Sequence, residues 1–532
     1  MRNKIIIAIC FAFSLSFMSS CDNDFDKINS NPNSPEVVPT NTIFNSATKE
    51  YTDFARDDFN TGRLTLPWMQ YWGQTAYADE DRYQYRETTA QGLYENTYRV
   101  ATDLKTVIDL NVNPATRGQM SAYGSNDNQI AASRIILSYM FHGLADFFGD
   151  IPYYSYGSNN ADFQALDVNN VLSPKFADSR AIYTDILSEL RAASDMIDTT
   201  KPVFTSGDNI FGGDAVKWKK FANSLILRVA NRLRDVDATA ANTAINAAIT
   251  AGVFTSNADN AIQAYESQDA TGSPFWNAFI GRTDFAVAAP FVKLLKGDVS
   301  NFGPDARLFQ MAAPISASIG SVKDGSYTTS TDYDDYIGVP YAYPRTNTLA
   351  FTDYSFGSSN VIKPDYGEVL MEYAEVQFII SEHNSWNQTN YENGVRASME
   401  RWGVASATVT TFVNGLPAAS EENVLTQKYV ALYMQAHEAW AEYRRTGYPN
   451  NDVLVLPGEQ VTLPANQVKD DNDASTDDTI YIFESLVADL TDLPTRLSYP
   501  VILQTLNGDN RAAAVTKLGD DKIDTKLFWD VD

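Results

Sequence analysis

Histidine and cysteine are scarce in this chain of 532 residues, with three of the first and two of the second. A zinc site built on His, a Ser-His-Asp triad or a His acid/base pair would have to draw on His142, His383 or His437, which puts those chemistries at a disadvantage. Positive charge is also short: 40 Lys and Arg face 67 Asp and Glu, a net charge of −27, so no nucleic-acid partner is expected. No stretch after the first 20 residues is apolar for the roughly 20 residues that a membrane-spanning helix needs. Motifs for several reactions are missing as well. There is no GxxxxGK phosphate loop and no GxSxG elbow, and the sequence at His437 reads HEAWA where a zinc protease would have HExxH. What is plentiful is apolar and aromatic residue: 44% of the chain is hydrophobic, with 28 Phe, 29 Tyr and 8 Trp, enough to bury a large core.

The first residues read as an address. Arg2 and Lys4 precede an apolar run from Ile5 to Phe17, and Met18-Ser19-Ser20-Cys21 follows, the order of an export signal. Small residues before Cys21 resemble a bacterial lipobox, in which the Cys sulfur receives a diacylglycerol and the signal is cut before it. Met18 stands where that motif more often has Leu. The expected division is a signal peptide over 1–20, an acylated flexible tether over 21–40 and a single ligand-binding domain over 41–532. With Cys10 removed, Cys21 is the sole remaining cysteine, and no disulfide is expected. Asp22, Asn23, Asp24 and Asp26 form an acidic tract similar to the surface-export tag of lipoproteins in the phylum Bacteroidota. A solvated tether accounts for the same residues.

Beyond Thr40 the dominant period is helical. Ile130, Ile136, Met140, Leu144 and Phe147 share one face, and Gly149 and Pro152 stop that segment. Asp178 can cap a helix striped by Ile182, Ile186, Leu190, Ala193 and Ile197, and Asp214 one striped by Trp218, Phe221, Leu225, Val229 and Leu233. Further helices are predicted over about 88–110, 239–251, 367–382, 391–402 and 421–445. Each apolar stripe must be buried on a neighbour, so the predicted fold is mainly α, a tetratricopeptide-like scaffold of helical hairpins with long irregular loops and a few short strands. The long loops, 256–366 and 450–480, are where a binding surface is expected.

Several segments together resemble the SusD/RagB family of outer-membrane nutrient-binding lipoproteins, and more closely its second SusD-like branch. They are DFDKINSNPNSPEVVP behind the lipobox, LADFFGDIPYYSY from Leu144, FGGDAVKWKKFANSLILRVANRLR from Phe211, TQKYVALYMQAHEAWAEYRRTGYP from Thr426, and the closing RLSYPVILQTLNGDN with Trp529-Asp530. Pro304-Asp305-Ala306-Arg307 departs from the family's Asp-Pro-Arg turn. The resemblance implies a non-enzymatic surface lipoprotein, held in the outer membrane through its lipid. It would capture an oligosaccharide or oligopeptide and sit as a lid on a SusC-like TonB-dependent transporter. Trp218, Trp440, Arg444 and Arg445 look structural, by helical stripe and by position near a helix C-terminus.

The candidate ligand residues are Trp68, Tyr71, Trp72, Tyr77, Tyr83 and Trp276. The first five, with Tyr85, are interleaved with Gln, Asp and Arg over Leu66–Tyr85, so aromatic faces could stack on sugar C–H groups while polar side chains satisfy hydroxyls. Trp68 and Trp72 lie four apart, which suits a core stripe as well as a ligand platform; Trp276 follows Ser273-Pro274-Phe275 in a predicted loop and is open to the same two readings. No cofactor is expected. Asp473, Asp477 and Glu484, with Ser475 and Thr479, imitate the ligand spacing of a calcium loop, but Asp478 occupies the place of the turn-making Gly, and a solvated acidic loop explains them too. Two rival readings remain open: a surface glycoside hydrolase or peptidase using a carboxylate pair, and a structural subunit that binds nothing itself.

Overall fold

A computed structural model describes residues 38–86, 88–450, 452–468 and 479–531. Cys21 and nearly all of the tether lie outside the described residues, as do Asp473 and Asp477. Helices α1 (Thr40–Ala55), α2 (Gln91–Val112), α3 (Asn126–Phe148), α4 (Ser179–Met196), α5 (Ala215–Arg232) and α6 (Ala238–Ala251) each pack on the next in chain order. After α7 (Ala289–Lys296) the chain returns with α8 (Tyr373–His383), which lies on α5 and carries a second group made of α9 (Gln388–Arg401), α10 (Ser406–Asn414) and α11 (Glu421–Ala431). Helices α12 (Ala436–Thr446) and α13 (Gly508–Leu518) follow toward the C-terminus.

The expected caps are made. Asp178 accepts from the Ala181 amide, and Asp214 from the amides of Val216 and Lys217, each satisfying donors that a helix start leaves open. The predicted stripes of α4 and α5 face inward, and Trp218 is fully buried against Phe44 and Phe211. Two expectations are corrected. The stretch 421–445 is two helices, broken where Met434 takes a positive φ of 69°, which no α-helix accommodates. Residues 368–371 form a strand ahead of α8 rather than its first turn.

Charged residues tie the two halves of the stack together. Arg228 of α5 grips Glu375 of α8 with two bonds of 2.7 and 2.6 Å, and Arg232 reaches Glu438 and Glu442 of α12 at 2.6 Å each. Lys428 and Arg445 close on Glu442 at 2.6 and 3.0 Å, and Arg445 also meets Glu382 at 2.9 Å. All of these groups are buried. Arg444 instead lies over the Trp440 ring and donates to the carbonyls of Asp146 and Thr495. Both arginines are therefore structural.

Among the described residues three small antiparallel ribbons decorate the helices: β1 (Trp72–Gln74) with β3 (Phe285–Val287), β2 (Ala261–Gln263) with β4 (Glu368–Met371), and β5 (Gln460–Thr462) with β6 (Ile480–Ile482). The first, with Trp72 opposite Val287 and Gln74 opposite Phe285, joins the aromatic tract to the long loop region.

Candidate functional site

The aromatic tract follows a π-helical stretch, Asp58–Thr65, and opens with a short helical turn, Leu66–Trp68. Gln70, at φ 54°, then turns the chain, and its side-chain amide exchanges two hydrogen bonds with Val455, at 2.7 and 2.9 Å. From there the rings point inward. Trp68 packs on Trp440 with centroids 5.0 Å apart, Tyr71 stacks on Tyr429 at 4.5 Å, and Trp72 meets Phe275 at 5.0 Å. A Cβ on Gly357 would come within 2.3 Å of the Trp72 ring, so the glycine leaves the space that this ring fills. Tyr83 is buried on Phe483, and Trp276 lies within the helix Pro274–Ile280, where its indole N–H donates to Asp269.

Trp68, Tyr71, Trp72, Tyr83 and Trp276 are thus core residues and present no face to a ligand, which corrects the expectation placed on them. The physical reason is size. Fully burying one large side chain contributes about 1.5 to 3 kcal/mol, and a helical stack offers few other places for a ring. Their tract neighbour Tyr77 differs: it is 46% exposed and stands in a cleft of about 360 Å³.

That cleft is assembled by the β1–β3 ribbon. Immediately after β1, the Thr75 amide donates to the Asp284 carbonyl at 2.7 Å and the Thr75 hydroxyl to the Thr283 carbonyl at 2.8 Å. This pairing sets Tyr77 beside Arg282. Arg282 donates to the Tyr77 hydroxyl at 2.8 Å, and its guanidinium lies 5.4 Å from the ring centre. Arg63 approaches the same ring, at 5.7 Å, while stacking on the exposed Phe59 at 4.4 Å. Two cations beside an electron-rich ring hold it in place. Gln84, Arg86 and Asn347 are exposed along the walls, the last carried by the loop that also contributes Pro344.

Charges in the cleft are ordered. Glu80 accepts from the Gln74 amide side chain at 2.8 Å and stands 3.6 Å from Arg63; Asp79 is 3.6 Å from Arg82, and Asp284 pairs with Arg282. Hydrogen bonds to Asp284 and Tyr77 hold the Arg282 proton more firmly than usual. Beneath this surface Asp81 is fully buried and accepts from the Gln74 backbone amide at 2.7 Å. Desolvation pushes its carboxyl up to about 8. An exposed ring between guanidinium groups, with amides on the walls, can hold a flat apolar face and bond the polar groups around its edge.

Sequence reasoning found Tyr77 and passed over Arg63, Arg282 and Asn347. Arg282 lies 205 positions from Tyr77, and only strand pairing brings the two together. Of the calcium candidates, Glu484 is exposed with its carboxylate 3.9 Å from Arg82, and Asp473 and Asp477 fall outside the described residues. Among the described residues no three His, Cys, Asp or Glu side chains gather as a metal site, and no helix is long and apolar enough to cross a membrane.

Comparison with known proteins places this fold. A chitin-binding SusD homologue from Flavobacterium johnsoniae has a TM-score of 0.67 at 19% identity, with 92% of this chain and 99% of that one covered. A SusD homologue from Parabacteroides distasonis gives 0.70 at 22% identity, covering 92% and 98%, and one from Bacteroides fragilis 0.69 at 18%, covering 93% and 100%. No curated protein matches the sequence. Residues 32–462 match the family SusD-like_2, described as "Starch-binding associating with outer membrane". With that match over most of its length and the tetratricopeptide-like helical fold in common, the chain belongs to the SusD-like family, which is associated with the outer membrane.

Proposed function

We propose that this protein captures a glycan in the Tyr77 cleft at the cell surface, held there by lipid on Cys21, and passes it uncleaved to a SusC-like TonB-dependent transporter. The observation that carries the reading is Tyr77 itself. It is the one residue of the aromatic tract singled out in the sequence that keeps a large exposed face, with Arg282 and Arg63 fixing the ring. Apolar sugar faces stack on such a ring, and Gln84 and Asn347 are placed to meet hydroxyls. The family's description as starch-binding, and a chitin-binding relative with the same fold, support glycan over oligopeptide as cargo.

Calorimetry of the purified full chain against malto-oligosaccharides, chito-oligosaccharides and an oligopeptide panel tests the capture step. Saturable heat with a sugar, lost in Tyr77→Ala, is the expected result, and heat only with peptides sinks the glycan reading. Release of shorter sugars from the same mixture, abolished by one carboxylate substitution, would favour a hydrolase instead. Labelled palmitate should enter the wild-type protein and not Cys21→Ala, and co-purification from detergent-solubilised outer membranes tests the transporter.

A further inference from the structure

Resting on the glycan reading above, we infer that the binding surface continues out of the Tyr77 cleft, past Arg63, to a second ring platform on Phe59, and that the protein thereby selects glycan chains over short sugars. Four aromatic side chains are exposed by more than a third among the described residues: Phe59, Tyr77, Tyr156 and Phe351. Two of the four share one arginine. The Arg63 guanidinium lies 4.4 Å from the centre of the Phe59 ring and 5.7 Å from that of Tyr77, so both rings adjoin the same side chain, close enough for neighbouring sugars of a single chain to reach both.

Phe59 is held outward by its backbone. It stands in the π-helical stretch, a winding rare in proteins and frequent at functional sites. Asp57 caps that stretch, accepting from the amides of Phe59 and Asn60 at 3.0 and 2.6 Å, and the Asn60 and Thr61 side chains donate to the carbonyls of Phe54 and Ala55 at 2.9 and 2.8 Å. Gly62 sits against the Phe285 ring of β3, where a Cβ would come within 3.1 Å. With Asn60, Thr61, Gly62, Leu64 and Thr65 buried, Phe59 is left facing solvent. Charges nearby are matched. Arg63 faces Glu80 at 3.6 Å, Arg282 pairs with Asp284, and Asp58 lies within electrostatic reach of both arginines. What this surface offers a ligand is therefore two flat apolar rings with polar groups around them, which suits the C–H faces and hydroxyls of successive pyranose units. The cleft alone serves a short sugar. The second ring rewards a longer one, because its contact is intramolecular once the chain is held at Tyr77.

Calorimetry of the full chain with maltose and maltohexaose, and with chitobiose and chitohexaose, tests the inference. In the series that binds, the hexasaccharide should bind at least about tenfold tighter than the disaccharide. Phe59→Ala should weaken the hexasaccharide about tenfold and leave the disaccharide unchanged, whereas Tyr77→Ala should weaken both. Phe59→Trp, which keeps a ring, should keep the gap. Tyr156→Ala, which removes an exposed ring that stands outside the cleft with Arg134 at 4.8 Å, should change neither affinity. Wild-type hexasaccharide affinity in Phe59→Ala, or an equal loss for both chain lengths, overturns the inference while leaving glycan capture at Tyr77 intact. No heat with any of these sugars removes the glycan reading as well.

Discussion

Tyr71 and Tyr429 stack ring on ring, 4.5 Å between centroids and 13° from parallel, and each hydroxyl donates to a backbone carbonyl in the other's segment. Tyr71 donates to Tyr429 itself, and Tyr429 to Met69 at 2.7 Å. The pair locks the tract that bears Tyr77 onto α11. Tyr71→Phe keeps the ring and strands a buried carbonyl, so it should cost about 1 to 3 kcal/mol in urea unfolding. The double change Tyr71→Phe/Tyr429→Phe should depart from the sum of the single effects, because the two residues touch. A wild-type urea midpoint for both single variants would show that the reciprocal bonds contribute nothing.

Aromatics of the same tract should separate cleanly by substitution. Trp72→Ala empties a core site and should cost about 3 to 5 kcal/mol. Gly357→Ala, whose Cβ would meet the Trp72 ring at 2.3 Å, should destabilise by overpacking. Tyr77→Ala, on the surface, should stay within about 0.5 kcal/mol of wild type and yet weaken sugar binding at least about tenfold. A Tyr77→Ala protein that binds as well as wild type would move the site elsewhere.

This contrast marks how far the sequence can be read. Amphipathic stripes and caps depend on neighbours a few residues away, so α4 and α5 and the buried Trp218 were legible in it, as was the structural use of Arg445. Tertiary contacts between distant residues were not. Whether a Trp amid polar residues turns in or out depends on what arrives from elsewhere, and the room for Trp72 comes from Gly357, 285 positions later. The break at Met434 was hidden for a related reason: the apolar period runs through it, and only the positive φ shows that the helix stops. Tyr77 was visible as one ring among several, and Arg282, which fixes it, carries no local mark.

Buried charge between α5 and α8 predicts a strong asymmetry between single and paired changes. Arg228→Met leaves the buried Glu375 carboxyl with its two bonds gone, which should cost about 3 to 5 kcal/mol. Arg228→Met/Glu375→Leu removes both charges and should recover much of that loss, since the cost of keeping ions from water goes with them. Chemical denaturation of the four proteins measures the difference. A double variant no better than Arg228→Met would mean that Glu438, 3.6 Å from Arg228, carries more of the balance than Glu375.

Asp81 predicts a pH dependence with a definite sign. Its carboxyl is raised by burial from 3.8 to about 8, so between those values the folded protein holds a proton that the unfolded chain has released. Its contribution to stability is whole below about pH 4 and drains away as the pH climbs through about 8. Glu368, raised to about 8, and Glu372, raised to about 7, work in the same direction. His437 opposes them: burial and the neighbouring Arg56 keep it neutral far below its usual range, so its contribution to stability grows as the pH rises toward about 6.5. Comparing wild type with Asp81→Asn removes these shared terms. Asparagine imitates the protonated acid and can still accept from the Gln74 amide, so the two proteins should unfold alike below about pH 4, and the variant should become steadily the more stable as the pH rises from there to about 8. Parallel stability curves for the two proteins across that window would show that Asp81 is ionised inside the fold, and that the floor of the Tyr77 cleft carries a negative charge after all.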